Sequence, residues 1–347
     1  MKLIKFDKSK GTNIMKKIFN KTVAVVLMAL VILSSFSFAS CEDKGNTVKV
    51  GIIQYMSHPS LDNCRDGIVS VLENAELTSG KKIEIEVQTG SAASAESDCS
   101  AYAKNMVAAG YDMIIAIATP AACSAFAAVE GTEIPLVFCA VSDPVQAKLV
   151  KSNENPTYGA TGTSDLLDFN HQLELIKAFQ PDVKSIGVLY TTSEANSVSQ
   201  LQSFTAIANT FGIEVVPQGI QSASEIPAAA SALCTKVDCV NNFTDNNVVT
   251  NLSVLLEAAR TAGIPVYGSE EEQVKNGCLA SVSIDYVSLG KDTGDIAVRI
   301  LNGESANNIP VKLISEAAPI INGEVADALN ITIPEKYSNA TTVGTNK

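Results

Sequence analysis

The 347-residue sequence predicts an α/β protein of two similar Rossmann-like lobes, each built on a parallel sheet. Three observations predict it. Short, almost unbroken apolar runs such as VKVGIIQ at 48–54 read as strands buried on both faces. These runs alternate with stretches of helical periodicity, the pattern of parallel strands joined by crossover helices. The second half of the chain then repeats the first in the same order.

Taken in order, 48–54 is the first strand. Leu61, Cys64, Ile68, Val71, Leu72 and Ala75 follow at helical spacing. Strands are expected at 83–87, 113–118 and 134–139, with helices ending at 109 and starting at Pro120. The repeat is legible in four places. IGVLY at 186–190 answers VGIIQ at 50–54, and IEVVPQGIQSASE at 213–225 answers IEIEVQTGSAASAE at 83–96. DCVNNFT at 238–244 answers DMIIAIAT at 112–119, and IPVY at 264–267 answers IPLV at 134–137.

A late segment exceeds the second unit. After 281–285, a helix carries Tyr286, Leu289, Thr293, Ile296 and Ile300 on one face, with Gly290 and Gly294 permitting close packing there. Its return to the first lobe would give three crossings between lobes, a hinge arrangement. The expected organisation is 48–163 with 285–310 as the N-terminal lobe, 164–284 with 311–335 as the C-terminal lobe, and 336–347 as a tail.

The first forty residues read as a leader. Seven lysines and one acid precede an apolar run at 23–33, and small residues lead to Cys41. That is a basic region, a short hydrophobic region and a cleavage site, with Met15 as a second candidate start. Phe38-Ala39-Ser40-Cys41 resembles a bacterial lipobox, in which the Cys is lipidated and becomes the mature N-terminus. Residues 41–47 would be a tether, and the protein is expected to be extracytoplasmic and membrane-anchored through Cys41. Without residues 1–40, Lys plus Arg falls from 25 to 18 and Asp plus Glu from 37 to 36, a net charge near −18. Such a surface repels phosphate backbones, so nucleic-acid binding is disfavoured. Seven further cysteines lack CxxC spacing and only two histidines exist, so no zinc site or cofactor is implied.

In open parallel sheets ligands bind beyond the carboxyl ends of the strands. In the first lobe those ends carry Gln54, Tyr55 and His58, then Thr119-Pro120-Ala121, then Ser142-Asp143. In the second they carry Ser193 and Asn196, Thr244-Asp245 and Glu270, and Asp285 ends the strand before the late helix. Thr119 reads as an N-cap and Pro120 as the first helical residue, so the Ala121 amide would face a carboxylate at a positive helix end. Asp143, Asp245 and Asp285 are acids that could pair with an ammonium. An amino acid would use both ends of this arrangement. Tyr55, Phe138, Tyr190, Phe243 and Tyr286 lie near strand ends, where they could stack on a flat side chain or fill the core.

With these residues assembled, the chain resembles the ABC transporter substrate-binding family that includes tryptophan- and tyrosine-binding lipoproteins. The motifs are GIIQYMSHPSLD at 51–62, AIATPAA at 116–122, AVSDPVQAKLV at 140–150, GTSD at 162–165, IGVLYTTSEANS at 186–197, TDN at 244–246, VYGSE at 266–270 and SIDYVSLGKDTG at 283–294. The resemblance implies a type I periplasmic-binding-protein fold, a cleft that closes on an amino acid such as Trp or Tyr, and a membrane ABC permease as partner of a monomer. Its strand-end motifs map onto Gln54, Thr119, Ser142, Asp143, Ser193, Asn196, Asp245 and Asp285. Cys123 and the Asn241-Asn242-Phe243 run depart from the family's pattern. A receptor that presents its ligand to a sensor protein is an alternative use of the same fold. A racemase-like enzyme would need two thiols facing each other across the cleft, and Cys123 and Cys239 do not occupy matching places.

Overall fold

The computed structural model describes residues 45–313 and 318–346. The leader, Cys41 and most of the expected tether lie outside the described residues. The fold is α/β with parallel sheets. The first lobe is a six-stranded, all-parallel sheet in the order β11-β5-β4-β3-β1-β2. Its strands are β1 (Thr47–Gln54), β2 (Lys82–Thr89), β3 (Met113–Ile117), β4 (Leu136–Cys139), β5 (Ala160–Ser164) and β11 (Lys312–Leu313). β3 and β4 are buried along their whole length, as their uninterrupted apolar sequences require, whereas β2 alternates Ile or Val with charged and polar residues at its side of the sheet. The crossover helices are α1 (Pro59–Asn74), α2 (Ala95–Ala108) and α3 (Thr119–Val129).

The second lobe holds a parallel sheet in the order β7-β6-β8-β9, from β6 (Ser185–Thr191), β7 (Glu214–Ile220), β8 (Cys239–Asn241) and β9 (Val266–Tyr267). A smaller sheet in the order β10-β12-β13 adjoins it, from β10 (Ala280–Ser283), β12 (Ala318–Asn322) and β13 (Thr341–Val343). Leu279 N–H donates to Val266 O and Gly268 N–H to Ala280 O, which ties β10 to β9. The helices are α4 (Phe169–Phe179), α5 (Ala195–Thr210), α6 (Ile226–Cys234), α7 (Asn246–Thr250), α8 (Leu252–Ala262) and α9 (Glu271–Lys275). Residues 341–343, expected in a tail, instead pair with the open edge of β12, where three consecutive β-branched residues suit a strand.

Each lobe has its own apolar core. In the second, Phe169, Phe204 and Phe243 form a triangle with ring centroids 5.3 to 5.7 Å apart. Phe243 and Phe138 are therefore core residues, fully buried, and not ligand-stacking ones. The seven cysteines from 64 onward are all free thiols.

The late helix α10 (Tyr286–Leu301) leaves β10 and lies against α1 of the first lobe. The approach is close because it is glycine-lined. A Cβ on Gly290 would stand 2.2 Å from Cys64 O, and one on Gly67 2.4 Å from Val287 O. The chain thus passes between the lobes at 165–168, at 284–285, and between Leu313 and Ala318. A short helix α11 (Gly323–Ala328) completes the second lobe.

Candidate functional site

The strand ends of both lobes converge on one enclosed space of about 20 Å3. From the first lobe come His58 and Ser60 after β1, Ala118 and Thr119 after β3, Ala140 and Ser142 after β4, and Asp165 after β5. From the second come Asn196 after β6, Thr244 and Asn246 after β8, and Glu270 and Gln273 after β9. Tyr286, which opens α10, closes the floor. A wider groove of about 320 Å3 adjoins on one side and shares His58, Ser60, Val249, Glu270 and Gln273 with the inner space.

The first-lobe wall is built on strained backbone. Ala118 has φ 80° and ψ 154°, a region that is essentially reserved for glycine, and Ala140 has φ 54°. Each such residue costs about 1–3 kcal/mol and persists because its surroundings fix it. Ala118 is held by Cys139 O, which accepts from its N–H, and by Ala122 N–H, which donates to its carbonyl. The result is that α3 starts on Thr119 itself. Thr119 is the first helical residue and Pro120 the second, so the helix begins one residue earlier than the sequence pattern suggests. The Thr119 hydroxyl, buried at 3% exposure, has no hydrogen-bond partner among the described residues. It lies beside backbone N–H groups that a helix start leaves unpaired.

Each wall carries one carboxyl group, Glu270 from the second lobe and Asp165 from the first. Glu270 is 1% exposed and caps α9, accepting from Glu272 N–H at 2.7 Å and Gln273 N–H at 2.9 Å. Burial pushes its carboxyl up to about 7, against those amides. Asp165 is also buried and raised by burial; it accepts from Ser142 Oγ and from Tyr286 Oη, both at 2.8 Å. Neither Lys nor Arg lines the space among the described residues. Behind the wall, Glu194 accepts from Asn246 Nδ2 at 2.6 Å, and Asn246 Oδ1 lies 3.4 Å from His58 Nε2. Burial and the neighbouring Asp245 push Glu194 up to about 8. Burial pulls His58 down to about 4, so its imidazole is neutral.

Of the residues read from the strand ends, His58, Thr119, Ser142, Asn196, Thr244 and Glu270 line the space. The others do not. Gln54 is engaged inside its own lobe, donating to Met56 O and Asp62 Oδ1 and accepting from Arg65 Nη1. Tyr55 and Ala121 are packed in the first core, and Pro120 caps the same turn without reaching the space. Asp143 lies at the rim, accepting from Gln146 N–H and Ser199 Oγ. Ser193 is exposed. Asp245 is saturated: Thr191 N–H, Thr191 Oγ1, Ser197 Oγ and Val248 N–H all donate to it within 3.0 Å. Asp285 caps α10 through Val287 and Ser288. Asp245 and Asp285 thus order the backbone rather than meet a ligand ammonium. Asn246 of the TDN run lines the space as well, and so do Ser60, Asp165 and Gln273, which no strand-end position marks. They lie one step past the strand ends, in helices or in the first crossing. No cysteine lines the space.

The arrangement offers hydroxyls, a helix start and the Asp165 carboxyl on the first-lobe side and the Glu270 carboxyl on the other, with no basic residue. It suits a small solute that brings both a carboxylate and an ammonium. No metal-binding group of His, Cys, Asp or Glu occurs among the described residues, and no described helix is long and apolar enough to cross a membrane.

Comparison with known proteins gives a consistent picture. The family described as ABC transporter substrate binding protein matches residues 49–343. A tyrosine-binding protein of Clostridioides difficile is 37% identical over 327 residues, covering 91% of this chain and 93% of the relative. The structure of a Streptococcus pneumoniae ABC domain in complex with L-Trp superposes with a TM-score of 0.80 at 34% identity, covering 86% of this chain and all of that one. The ligand-free, open structure of a Clostridium difficile substrate binding protein with adhesive properties gives a TM-score of 0.65 at 37% identity, with the same coverages. On this evidence the chain belongs to the ABC transporter substrate-binding protein family.

Proposed function

We propose that this protein is an extracytoplasmic lipoprotein, anchored through Cys41, that captures an aromatic amino acid such as tyrosine or tryptophan for an ABC importer. One observation carries the ligand class: the unpaired Thr119 hydroxyl at the start of α3 and the buried Glu270 carboxyl border the same enclosed space from opposite lobes. A zwitterion matches both, with its carboxylate at the positive helix end and its ammonium at Glu270. The relatives named for tyrosine and L-Trp support the aromatic side chain.

The inner space admits about one water. An amino acid is larger, so in this reading it enters and is held with the lobes further apart than they stand here, and the three crossings serve as the hinge. The moving bodies are then the first sheet through Ser164 together with α10 and β11, and the second lobe from α4 to β10 together with β12, α11 and β13. Ser164 and 311–313, expected with the second lobe, belong to the first because β5 and β11 pair in its sheet. The greater likeness to the L-Trp-bound relative than to the open one supports a closed arrangement here. Closure follows from the ligand's differential affinity for the two states.

The test is a thermal-shift and calorimetric screen of the mature protein against the twenty amino acids. Tyrosine or tryptophan at a hundred times Kd should stabilise the fold by about 2.7 kcal/mol. Thr119→Val and Glu270→Gln should each weaken binding about tenfold or more, the effect of removing a hydrogen bond to a charged group. A shift with sugars or nucleosides and none with any amino acid would overturn the assignment.

A further inference from the structure

The polar atoms left without partners around the site are unevenly distributed, and their chemistry constrains the ligand further. Two of them are carboxamide oxygens on one helix, Asn196 Oδ1 and Gln200 Oε1, four residues apart on the same face of α5. Both residues are buried, at 4% and 1% exposure. Neither oxygen has a hydrogen-bond partner among the described residues.

The orientation of Asn196 is fixed by its other end. Asn196 Nδ2 lies 3.2 Å from Glu194 Oε2, 3.1 Å from Thr244 O and 3.4 Å from Ser197 Oγ. Rotating the amide by half a turn would set oxygen against a carboxyl and a carbonyl oxygen, so the nitrogen stays there and the oxygen points the other way. Gln200 is fixed in the same manner. Its Nε2 donates to Ser142 Oγ at 3.2 Å, and the Ser142 hydrogen is already given to Asp165. A second bond from Nε2 runs to Thr244 Oγ1 at 2.9 Å. Ser142 and Thr244 both line the space, as does Asn196.

A buried acceptor held in this way is unfavourable until a donor meets it. The ammonium does not need this pair. Glu270 stands on the wall shared with the outer groove, together with His58 and Ser60, whereas Asn196 and Gln200 are absent from that wall. We infer that Asn196, backed by Gln200, accepts a hydrogen bond from the ligand's side chain, so that the site selects aromatic amino acids bearing a ring donor, a phenol O–H or an indole N–H, over phenylalanine. This rests on the amino-acid reading above and adds the element of specificity.

The discrimination should be large. A site built to bond a ligand's hydroxyl strands its own buried group when the hydroxyl is missing, whereas an apolar pocket distinguishes such analogues weakly. Calorimetry on the unmodified protein with tyrosine, 4-aminophenylalanine, 4-fluorophenylalanine and phenylalanine separates donor from size, since fluorine resembles a hydroxyl in bulk but donates nothing. Tyrosine and 4-aminophenylalanine should bind within about tenfold of each other, and the other two at least about 100-fold more weakly. Asn196→Ala should bring the tyrosine-to-phenylalanine ratio below about threefold, mainly by weakening tyrosine. Gln200→Met should reduce the same ratio and serves if Asn196→Ala does not fold by circular dichroism.

Equal binding of tyrosine and 4-fluorophenylalanine would overturn the inference. So would an equal loss of tyrosine and phenylalanine in Asn196→Ala, because the oxygen would then face the ammonium. Absence of binding by every amino acid would instead remove the reading on which the inference rests, together with the inference itself.

Discussion

Glu270 links protonation to binding. Burial holds its carboxyl near 7 when only protein groups surround it. An ammonium beside it favours the ionised form. Binding must therefore release a proton wherever the unliganded side chain is protonated, below about pH 7. Affinity should rise with pH from 5 to 7 by up to about tenfold per unit and level off above. Calorimetry at pH 6 in buffers of different ionisation enthalpy should show net proton release, and Glu270→Gln should lose that release and flatten the profile. A pH-independent affinity between 5 and 8 in the unmodified protein would place the ammonium elsewhere. The sign for stability is opposite. Glu270 and Glu194 have folded-state values raised above the ordinary carboxylate range, to about 7 and about 8. Their contribution to the unliganded fold is fully present below the ordinary range near 4.5 and is lost as pH rises through 7 and 8. The melting temperature without ligand should fall between pH 5 and 8.5, and Glu194→Gln should reduce the fall. The residue scale also shows the limit of reading strand ends. Asp245 and Glu270 both follow a strand and both cap the next helix. Only the fold shows that four donors occupy Asp245 while Glu270 borders the site. Residue type and position are the same for a cap and for a ligand contact.

At the scale of elements, the contact between α1 and α10 carries the N-terminal lobe's return of chain. Gly67, Gly290 and Gly294 let the two helices touch through backbone, with Cys64 O and Val71 as the facing atoms. A methyl on Gly290 would meet Cys64 O at 2.2 Å, which neither backbone can absorb without moving. Gly290→Ala should destabilise the protein by about 1–3 kcal/mol, the usual cost of overpacking, despite the better helix propensity of alanine. Urea unfolding measures it, and a variant as stable as the parent would show that the helices do not pack this closely. This element was legible because its small residues share one face of a helical period. The parallel strands were legible from apolar runs and from the repeat. β13 was not, because three residues of TTV carry no pattern that separates an added edge strand from a tail; what recruits them is the open edge of β12. The start of α3 was displaced for a related reason. Thr-Pro reads as a cap and first turn, but the positive φ of Ala118 comes from the sheet to which it is tied and not from local sequence.

At the scale of the molecule, the lobes meet through polar contacts at the rim and through the site itself. Ser199 Oγ donates to Asp143 Oδ2 at 3.1 Å, and Gln146 Nε2 to Gln202 Oε1 at 3.1 Å. Neither pair borders the enclosed space. They join the lobes, because Asp143 and Gln146 follow β4 while Ser199 and Gln202 lie on α5. If the three crossings act as a hinge, opening breaks these bonds while leaving each core intact. Removing them should shift the unliganded equilibrium toward the open state and tax binding by the same free energy. The double variant Ser199→Ala with Gln146→Ala should bind its amino acid about three- to tenfold more weakly, as expected for one or two exchangeable hydrogen bonds. The loss should fall mainly on the dissociation rate, since the rim closes after the ligand has arrived. Small-angle scattering should show a radius of gyration that decreases on addition of ligand in both proteins, with the variant needing more ligand to reach it. Identical scattering with and without a bound amino acid would mean that the site fills without lobe movement, and the proposed hinge at 165–168 and 284–285 would fall.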